Sequence, residues 1–187
     1  MSNLEEKQLE RREIYNGKII HLVCDRVLLP NGEEAPREVC MAIDAVAIIP
    51  ILDDGRVIME RQFRYPQGRV MLEIPAGKLN YKGEDTLEAA KRELREETGA
   101  VAERYTFLGE TIPSAAMLTE KISIYLAEGI SFTDRELDDD EFLDVEYIPL
   151  DKLYEMVMAG EICDSKTEIA VLKAYAIKNS GKTFPET

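Results

Sequence analysis

Apolar and polar residues alternate in the N-terminal part of the chain, on both sides of the segment Pro30-Asn31-Gly32-Glu33. Alternation with a period of two is typical of strands with one buried face, and Asn-Gly is a favoured hairpin turn. The pattern from Tyr15 to Met41 therefore predicts two antiparallel strands joined by a turn near Asn31-Gly32. Residues 4–13, which precede this hairpin, are mostly charged and are interpreted as either a short helix or a loose tail.

Three apolar segments come next in the chain. Residues 42–52 (AIDAVAIIPIL) are rich in β-branched side chains and predict a strand buried on both faces. Asp53-Asp54-Gly55 is a turn signal, so we expect residues 56–66 to fold back as the second arm of another hairpin. Residues 70–77 (VMLEIPAG) predict a short strand that leads to Gly77.

The clearest helical pattern runs from Asp85 to Gly99. Asp85 followed three residues later by Glu88 is a capping-box pattern, and a glycine just past the last turn is a common helix stop. After this helix, residues 104–112 and 121–130 alternate again and predict two further strands.

The C-terminal part combines an acidic segment, a strand and a helix. Residues 134–144 are strongly acidic and are interpreted as a loop, and the strand DVEYIPL (residues 144–150) follows it. Asp151 is expected to cap the next helix, which Gly160 ends.

A last helix is predicted to open at Ser165, where Glu168 completes a capping box, and to end at Gly181. The order of elements predicts an α/β fold, a sandwich with a mixed β-sheet between helices, preceded by a small N-terminal antiparallel β unit. We expect residues 1–42 to form this β unit and residues 43–187 to form the main domain.

Composition and charge narrow the function classes. The chain has 187 residues, 45% of them hydrophobic, and a formal net charge of −14, which argues against binding to the phosphate backbone of nucleic acids. No apolar run reaches membrane-spanning length, and the polar N-terminus is not a secretory signal. Cys24, Cys40 and Cys163 are widely spaced, so we expect reduced thiols in a cytoplasmic protein. The single histidine, His21, makes histidine-based catalysis an unattractive hypothesis.

Candidate chemistry lies on the central helix. Glu93, Glu96 and Glu97 occupy positions i, i+3 and i+4, where neighbouring carboxylates repel one another by a few tenths of a kcal/mol. Clusters of carboxylate oxygens suit hard cations such as Mg²⁺ or Mn²⁺. A solvated acidic face is the alternative interpretation, because glutamate is also a good helix former.

Residues beyond these three glutamates favour a metal site over a solvated acidic face. Gly77, Glu84 and the segment Arg92–Gly99 resemble the Nudix box of the Nudix hydrolases. The stretch between Gly77 and Glu84 is one residue longer than in the family, which we interpret as an insertion around Asn80-Tyr81. Seven residues separate Glu84 from Arg92, as in the family pattern, so the helix is in register with the motif. The resemblance implies that Arg92 pairs with Glu84, and an arginine on a solvated face is the alternative interpretation.

Other parts of the chain resemble the ADP-ribose pyrophosphatase, or nucleoside diphosphate sugar hydrolase, branch of that family. They are residues 29–38 (LPNGEEAPRE), 60–79 (ERQFRYPQGRVMLEIPAGKL), 138–153 (DDDEFLDVEYIPLDKL) and 160–167 (GEICDSKT). The resemblance implies the Nudix α/β/α sandwich and a cytoplasmic homodimer whose N-terminal β units reach the partner. It also implies Mg²⁺-dependent hydrolysis of a nucleoside diphosphate sugar, with Mn²⁺ as an alternative cofactor.

The resemblance assigns a metal site residue by residue. Glu93, Glu97 and Glu141 match metal ligands of the family, and Ala76 matches the position that supplies a backbone carbonyl. Glu96 is expected to assist catalysis through a water molecule or a further ion.

The same resemblance assigns substrate contacts and a base. Arg64 matches a phosphate-contacting arginine, and a guanidinium suits a diphosphate because it can bind two oxygens at once. Glu73 matches a substrate-side carboxylate, and a purely structural acid that points inward from the strand is the equal alternative. Arg37 is a weaker candidate, for contact with the nucleotide base in its own site or in the partner's site. Within the acidic loop, Glu141 is expected to bind metal or activate the attacking water, with Asp139 as its neighbour.

One departure from the branch concerns substrate choice. Where the branch carries Ser-Pro-Gly-Phe, this chain has Ser114-Ala115-Ala116-Met117, which lacks the rigid proline and the glycine. ADP-ribose is therefore the leading candidate substrate, and GDP-mannose or UDP-sugars are alternatives. A non-catalytic sensor that binds nucleotide sugars is a second function class.

Overall fold

The computed structural model of the protein describes residues 4–137 and 142–180. The chain divides into two compact units. The first unit consists of Met1–Asp44 and Ile112–Lys121, and the second consists of Ala45–Thr111 and Ile122–Thr187.

The first unit contains an antiparallel sheet of three strands in the order β1-β2-β3. These strands are β1 (Lys7–Asn16), β2 (His21–Leu28) and β3 (Glu34–Met41). Between β2 and β3, the amide of Gly32 donates to the carbonyl of Leu29 at 2.9 Å, and Gly32 has φ +87°. A positive φ is readily adopted only by glycine, and the hairpin predicted near Asn31-Gly32 is confirmed.

The prediction for residues 4–13 is wrong, because most of this segment forms strand β1 instead of a helix or a loose tail. All residues of β1 are exposed, so an apolar face does not explain the strand. The backbone pairs with β2, and the ion pair of Arg11 with Asp25 (2.6 Å) joins the two strands. These partners lie far along the sequence, and a local charge pattern cannot reveal them.

The segment Ile112–Lys121 groups with the first unit, although the boundary predicted at residue 42 would assign it to the main domain. The amide of Cys40 donates to the carbonyl of Met117 at 2.8 Å. The amide of Ala42 donates to Thr119 Oγ1, also at 2.8 Å. Hydrogen bonds to the end of β3 therefore hold this segment.

The second unit contains two sheets. Its strands are β4 (Ala45–Pro50), β5 (Arg56–Arg64), β6 (Arg69–Glu73), β7 (Ala76–Lys78), β8 (Ala100–Thr111), β9 (Ile122–Phe132) and β10 (Leu143–Pro149). One sheet has the order β7-β4-β9-β8 and is mixed, since β4 and β9 are parallel while the other pairs are antiparallel. The other sheet has the antiparallel order β10-β5-β6.

The turn at residues 53–55 is present, but the second hairpin predicted there is wrong. The amide of Gly55 donates to the carbonyl of Leu52 at 2.9 Å, which closes the turn. Beyond the single bridge between Ile51 and Val57, β5 leaves β4 and pairs with β10 and β6. The two strands belong to different sheets, and turn residues alone do not specify that separation.

Three helices cover the mixed sheet from opposite sides. They are α1 (Thr86–Thr98), α2 (Leu150–Met158) and α3 (Ser165–Ser180). Ala47 and Ile49 of β4 pack in one apolar cluster with residues of α2 and α3, whereas Val46 and Ile48 pack in a second cluster with residues of α1. Successive side chains of a strand point to opposite faces, so β4 lies between two helical layers. The predicted α/β/α sandwich with a mixed sheet is confirmed, as is the preceding β unit.

Helix α3 begins at Ser165 as predicted, but the residue that caps a helix agrees with the sequence only in α1. Asp85 Oδ1 accepts from the amides of Leu87 (2.9 Å) and Glu88 (3.0 Å), as predicted. Pro149 instead of Asp151 precedes α2 as its cap residue. At the start of α3, Asp164 Oδ2 accepts from the amide of Thr167 at 3.1 Å, so Asp164 performs the capping that the sequence assigned to the next residue. Within residues 4–137 and 142–180, no helix combines the length and apolar character of a membrane span.

Candidate active site

The short strand β7 lies against α1 and brings its backbone to two carboxylates of that helix. Glu97 is 5% exposed, and its Oε2 accepts from the amide of Ala76 at 2.9 Å. Glu93, one turn earlier on α1, is 9% exposed. Residues four apart lie on the same helix face, so two buried acidic side chains face the Ala76-Gly77 segment together.

Gly77 is required by the position of Glu93. A β-carbon added to Gly77 would lie 2.1 Å from the carboxyl carbon of Glu93, far inside van der Waals contact. Glycine therefore allows the backbone and the carboxylate to approach each other closely. This contact gives a physical reason for the first glycine of the motif.

Arg92 is the cation that holds the acidic cluster of α1 together. Its Nη1 donates to Glu93 Oε1 at 2.7 Å and to Glu96 Oε2 at 3.2 Å. Its Nη2 lies 3.7 Å from Glu84 Oε2. Burial lowers the pKa of Arg92, but the charge of Glu93 and the hydrogen bonds to Glu93 and Glu96 raise it above the usual value. Arg92 thus contacts Glu84 and, more closely, two glutamates of its own helix.

The loop before α1 keeps Glu84 next to Arg92 despite its extra residue. The amide of Asn80 donates to Glu84 Oε2 at 2.6 Å, and the amide of Glu84 donates to the carbonyl of Tyr81 at 3.2 Å. Gly83 has φ +88°, and a β-carbon there would meet no atom within 4 Å. The additional length is thus taken up in a turn at residues 80–83, and Glu84 is the residue directed to Arg92.

A second charged cluster is centred on Glu73 at the end of β6. Its carboxylate, 3% exposed, accepts from Arg64 Nε and Nη2, both at 2.8 Å. Lys166 Nζ donates to the same carboxylate. Burial raises the pKa of Glu73, but the hydrogen bonds and charges of Arg64 and Lys166 outweigh it and lower the pKa to about 2. Glu73 is therefore an anion that holds Arg64 in one orientation.

The pKa of Arg64 responds to carboxylates of both charged clusters. The hydrogen bond to Glu73 raises the pKa of Arg64, burial opposes this, and the charges of Glu73, Asp164 and Glu97 raise it further. Ala76, whose amide donates to Glu97 Oε2 at 2.9 Å, lies three residues after Glu73, which binds Arg64. Residues 73–76 therefore link the predicted phosphate contact to a predicted metal ligand.

The turn before α3 contributes residues that sequence reasoning missed. Lys166 Nζ also donates to Asp164 Oδ2 at 3.0 Å. Thr167 Oγ1 donates to the same oxygen at 2.6 Å, while the amide of Ile74 donates to Thr167 Oγ1 at 3.0 Å. The polar run Asp-Ser-Lys-Thr was visible in the sequence, but nothing local linked it to Glu73, 93 positions away from Lys166.

Glu60 is another missed residue. It is 4% exposed and lies opposite Glu73 in the ladder between β5 and β6. Residues paired in this way project from the same face of a sheet, so Glu60, Glu73 and Arg64 share one face. A charged residue directly after the apolar run Val57–Met59 was the available signal.

The other predicted residues belong to the first unit or lie outside the described part of the chain. Arg37 is in the first unit, where its Nε donates to Glu6 Oε2 at 2.9 Å. Asp139 and Glu141, predicted to provide the base, lie outside the described residues. Their roles therefore stay predictions.

The described residues contain oxygen donors that would fit part of a divalent-metal site. Among them, no three Asp, Glu, His or Cys side chains already surround a common point. Glu93 and Glu97 nevertheless provide buried carboxylate oxygens next to the half-buried segment Ala76-Gly77, and such oxygen donors fit Mg²⁺ or Mn²⁺. Further donors would come from the backbone, from water or from residues 138–141.

Comparison with known proteins defines the class. The family profile "NUDIX domain" matches residues 41–166, and the profile "Nucleoside diphosphate sugar hydrolase N-terminal domain" matches residues 6–40. The chain belongs to the Nudix family of hydrolases. The second match further relates its N-terminal β unit to that of the nucleoside diphosphate sugar hydrolases.

Individual relatives agree with this class. The chain is 40% identical to an "ADP-ribose pyrophosphatase" of Bacillus subtilis, over 91% of this chain and 93% of that protein. It is also 40% identical to a "Methanol dehydrogenase activator" of Bacillus methanolicus, over 89% and 91% respectively. A crystal structure titled "ADP compounds hydrolase" has the same fold, with a TM-score of 0.83, 22% identity, and coverage of 96% of this chain and 97% of that one.

Proposed function

We propose that this Nudix hydrolase is a Mg²⁺-dependent pyrophosphatase that cleaves the diphosphate of ADP-ribose or a related nucleoside diphosphate sugar. The products would be a nucleoside monophosphate and a sugar phosphate. The observation that carries the proposal is the presence, in one unit, of two buried carboxylates on α1 (Glu93 and Glu97) and of the Arg64 guanidinium, which Glu73 orients. A diphosphate bound through a divalent cation needs both kinds of group.

Arg64 would bind and orient the substrate diphosphate. Glu73 engages Nε and Nη2 of Arg64, which fixes the plane of the guanidinium and leaves Nη1 directed elsewhere. Lys166 shares the charge of Glu73, so Arg64 keeps positive potential for an incoming anion. Preorganised cations of this kind stabilise charge that develops during phosphoryl transfer.

Glu93 and Glu97 would hold the cofactor, Mg²⁺ or alternatively Mn²⁺, with the carbonyl of Ala76 and with Glu141. The bound cation neutralises phosphate charge and lowers the pKa of a water molecule. Arg92 keeps Glu93 and Glu96 in place on the helix through its hydrogen bonds. Glu141, with Asp139 beside it in sequence, is the proposed base that takes the proton of the attacking water.

We further propose that the protein is a cytoplasmic homodimer assembled through its N-terminal β units. Exposed apolar residues in that unit, including Leu9, Ile14 and Ile19, support a contact with a second copy. Arg37 would then contact the nucleotide base, in its own site or in that of the partner.

The nucleotide sugar range is proposed to be broad. The loop residues Ala115, Ala116 and Met117 form an ordinary turn in which the amide of Leu118 donates to the carbonyl of Ser114 at 3.0 Å. Without the rigid proline and the glycine of the branch, discrimination between terminal sugars should be only about 1–3 kcal/mol.

A product-release assay tests the proposal. ADP-ribose, ADP-glucose, GDP-mannose, UDP-glucose and a dinucleoside polyphosphate are compared with Mg²⁺ and with Mn²⁺, and a phosphatase reports the monoester products. We expect metal-dependent turnover of several nucleotide sugars. Glu155→Gln, which changes an exposed glutamate of α2, is the charge-matched control and should keep full activity. Tight binding of these compounds without turnover would instead indicate the non-catalytic sensor. If the compounds are neither bound nor hydrolysed, both proposed functions are rejected.

A further inference from the structure

A cavity of 430 Å³ lies between the end of the β5–β6 hairpin and the turn before α3. Its charged lining consists of three cations (Arg64, Arg69 and Lys166) and two carboxylates (Glu73 and Asp164). The protein as a whole carries a formal net charge of −14. A concave surface with a positive surplus is therefore unusual in this chain and attracts anions.

Arg69 is the source of this surplus. The arginines of β5 pair with carboxylates: Arg56 with Asp54, Arg61 with Glu146, and Arg64 with Glu73. In the described part of the chain, Arg69 has no carboxylate partner, and its Nη2 donates to Cys163 Sγ at 2.7 Å. A thiol is a weak acceptor for a guanidinium, so most of the donor capacity of Arg69 is unused by the protein.

The register of the hairpin makes the position of Arg69 costly. Arg64 and Arg69 are directly opposite each other in the ladder between β5 and β6. Like charges at opposed positions destabilise a sheet, and a hairpin that served only the fold would accommodate a neutral residue at one of them. An anion bound between the two guanidinium groups would remove the repulsion.

The carboxylates in the cavity do not remove the repulsion between Arg64 and Arg69. Glu73 is occupied by Arg64 and Lys166, and Asp164 Oδ2 accepts from Lys166 Nζ, Thr167 Oγ1 and the amide of Thr167. Lys166 is 9% exposed and holds both carboxylates together. The charged donors that remain for a ligand are those of Arg69 and the Nη1 group of Arg64, and the neutral side chains of Gln67 and Ser165 also line the cavity.

We propose that this cavity binds a phosphate monoester, with Arg69 as its principal ligand and Arg64 as the link to the diphosphate. A dianionic monoester offers oxygens to two guanidinium groups at once, the geometry in which arginine is most effective. Its connection to the substrate rests on the proposed function. Two sources share this chemistry: a further phosphate on a sugar hydroxyl of the substrate, and the phosphate of a released sugar phosphate.

The first experiment measures binding of inorganic phosphate to the metal-free protein by titration calorimetry in EDTA. Removing divalent ions prevents phosphate from binding through a metal at the α1 carboxylates. We expect millimolar binding to the parent protein and at least tenfold weaker binding to Arg69→Gln. Arg69→Lys should retain part of the affinity, because it keeps the charge and loses the planar donors. Arg104→Gln, an exposed arginine of β8 far along the sequence, is the control for net charge and should bind as the parent protein does.

The second experiment identifies the source of the phosphate. The kcat/KM ratio for ADP-ribose 2′-phosphate over ADP-ribose is compared in the parent protein, Arg69→Gln and Arg104→Gln. A ratio that falls about tenfold only in Arg69→Gln assigns the cavity to a substrate phosphate. An unchanged ratio, with inhibition by ribose 5-phosphate weakened about tenfold, assigns it to the product.

The inference is overturned if the metal-free parent protein does not bind phosphate at millimolar concentration, or if Arg69→Gln binds it as well as the parent does. Failure of the proposed function has a different signature. In that case no nucleotide sugar is hydrolysed, whereas phosphate still binds to the metal-free protein and depends on Arg69.

Discussion

The two charged clusters of the second unit are built in opposite ways. Around α1, Arg92 contacts three carboxylates (Glu84, Glu93 and Glu96), and Glu97 adds a fourth acidic group. Around Glu73, two cations, Arg64 and Lys166, face two carboxylates, Glu73 and Asp164. Arg95, whose Nη2 lies 3.6 Å from Glu96, adds a second cation to the first cluster. The first cluster thus has four carboxylates for two cations, and its carboxylates Glu93 and Glu97 are buried, whereas the second cluster has two of each.

This difference in charge indicates that the α1 cluster is suited to bind a ligand and that the Glu73 cluster is suited to position a side chain. Buried carboxylates in excess cost stability, and an added cation relieves that cost, so the α1 cluster is suited to hold a metal ion. A balanced network is satisfied without a ligand and fixes the orientation of its members, so the Glu73 cluster is suited to aim Arg64. The following predictions test that contrast, in order of decreasing effect.

The largest effect should come from removing charge in the acidic cluster. Glu97→Gln keeps size and helix propensity and can still accept from the Ala76 amide, but it removes a metal-binding charge. Turnover at saturating Mg²⁺ should fall about a thousandfold, which corresponds to roughly 4 kcal/mol of transition-state stabilisation. Stability in urea should stay equal or rise by a few tenths of a kcal/mol, because repulsion between carboxylates is reduced. Near-parent turnover with Glu97→Gln would contradict the role of this residue.

Low pH should lower the free energy of unfolding mainly through the Glu73 cluster. The folded pKa of Glu73, about 2, lies below its ordinary value of 4.5, so its ionisation contributes stability above pH 4.5 that is lost as the pH falls toward 2. That difference corresponds to about 3 kcal/mol at neutral pH by linkage. Urea unfolding between pH 7 and pH 3 should show the loss begin below pH 4.5. The profile of Glu73→Gln should be flatter there, and an identical slope in both proteins would show that Glu73 is not responsible.

Removing one cation from the Glu73 cluster should have an intermediate effect. Lys166→Met leaves Glu73 with Arg64 alone and removes the buried donor to Asp164, which should cost about 2 kcal/mol in the free energy of unfolding. The KM for the nucleotide sugar should rise more than kcat falls, since Glu73 would then offset the charge of Arg64. Lys152→Met, at an exposed pair with Glu155, is the matched control and should change stability very little. A pure loss of stability with unchanged KM would limit Lys166 to the fold.

The smallest effect should come from the loop that supports the acidic cluster. Glu84→Ala removes the acceptor for the Asn80 amide and should cost about 1 kcal/mol. Gly83→Ala should cost a similar amount, because φ is +88° there although space for a β-carbon exists. Deleting Tyr81 should leave turnover within an order of magnitude. A silent Glu84→Ala in thermal and urea unfolding would contradict the pairing of Glu84 with Arg92.

The sequence predicted well those features that depend on neighbouring residues. Helix α1 starts at the predicted cap, Asp85, and ends before Gly99, because both signals act within one helical turn. The motif also predicted that Glu93 and Glu97 share a face, which follows from helix geometry alone. The turn at Gly32 was predictable for the same reason.

Features that depend on distant partners were missed. Strand β1 exists through its ladder with β2, and its charged residues carry no local sign of that pairing. Lys166 meets Glu73 only after α3 packs near the end of β6, so the sequence could not show that the two residues belong to one cluster. The opposed arginines Arg64 and Arg69 likewise emerge only from the register of a hairpin.

The segment Ile112–Lys121 has a consequence for how this protein can be recombined with its relatives. It is encoded between two strands of the main domain, yet Cys40, Ala42 and Asp44 hold it by hydrogen bonds. A chimera joined at residue 42 would exchange the N-terminal sheet and leave behind the loop that the sheet supports. Modular transfer of the N-terminal unit therefore requires two exchanged segments, the N-terminal sheet through Asp44 and residues 112–121.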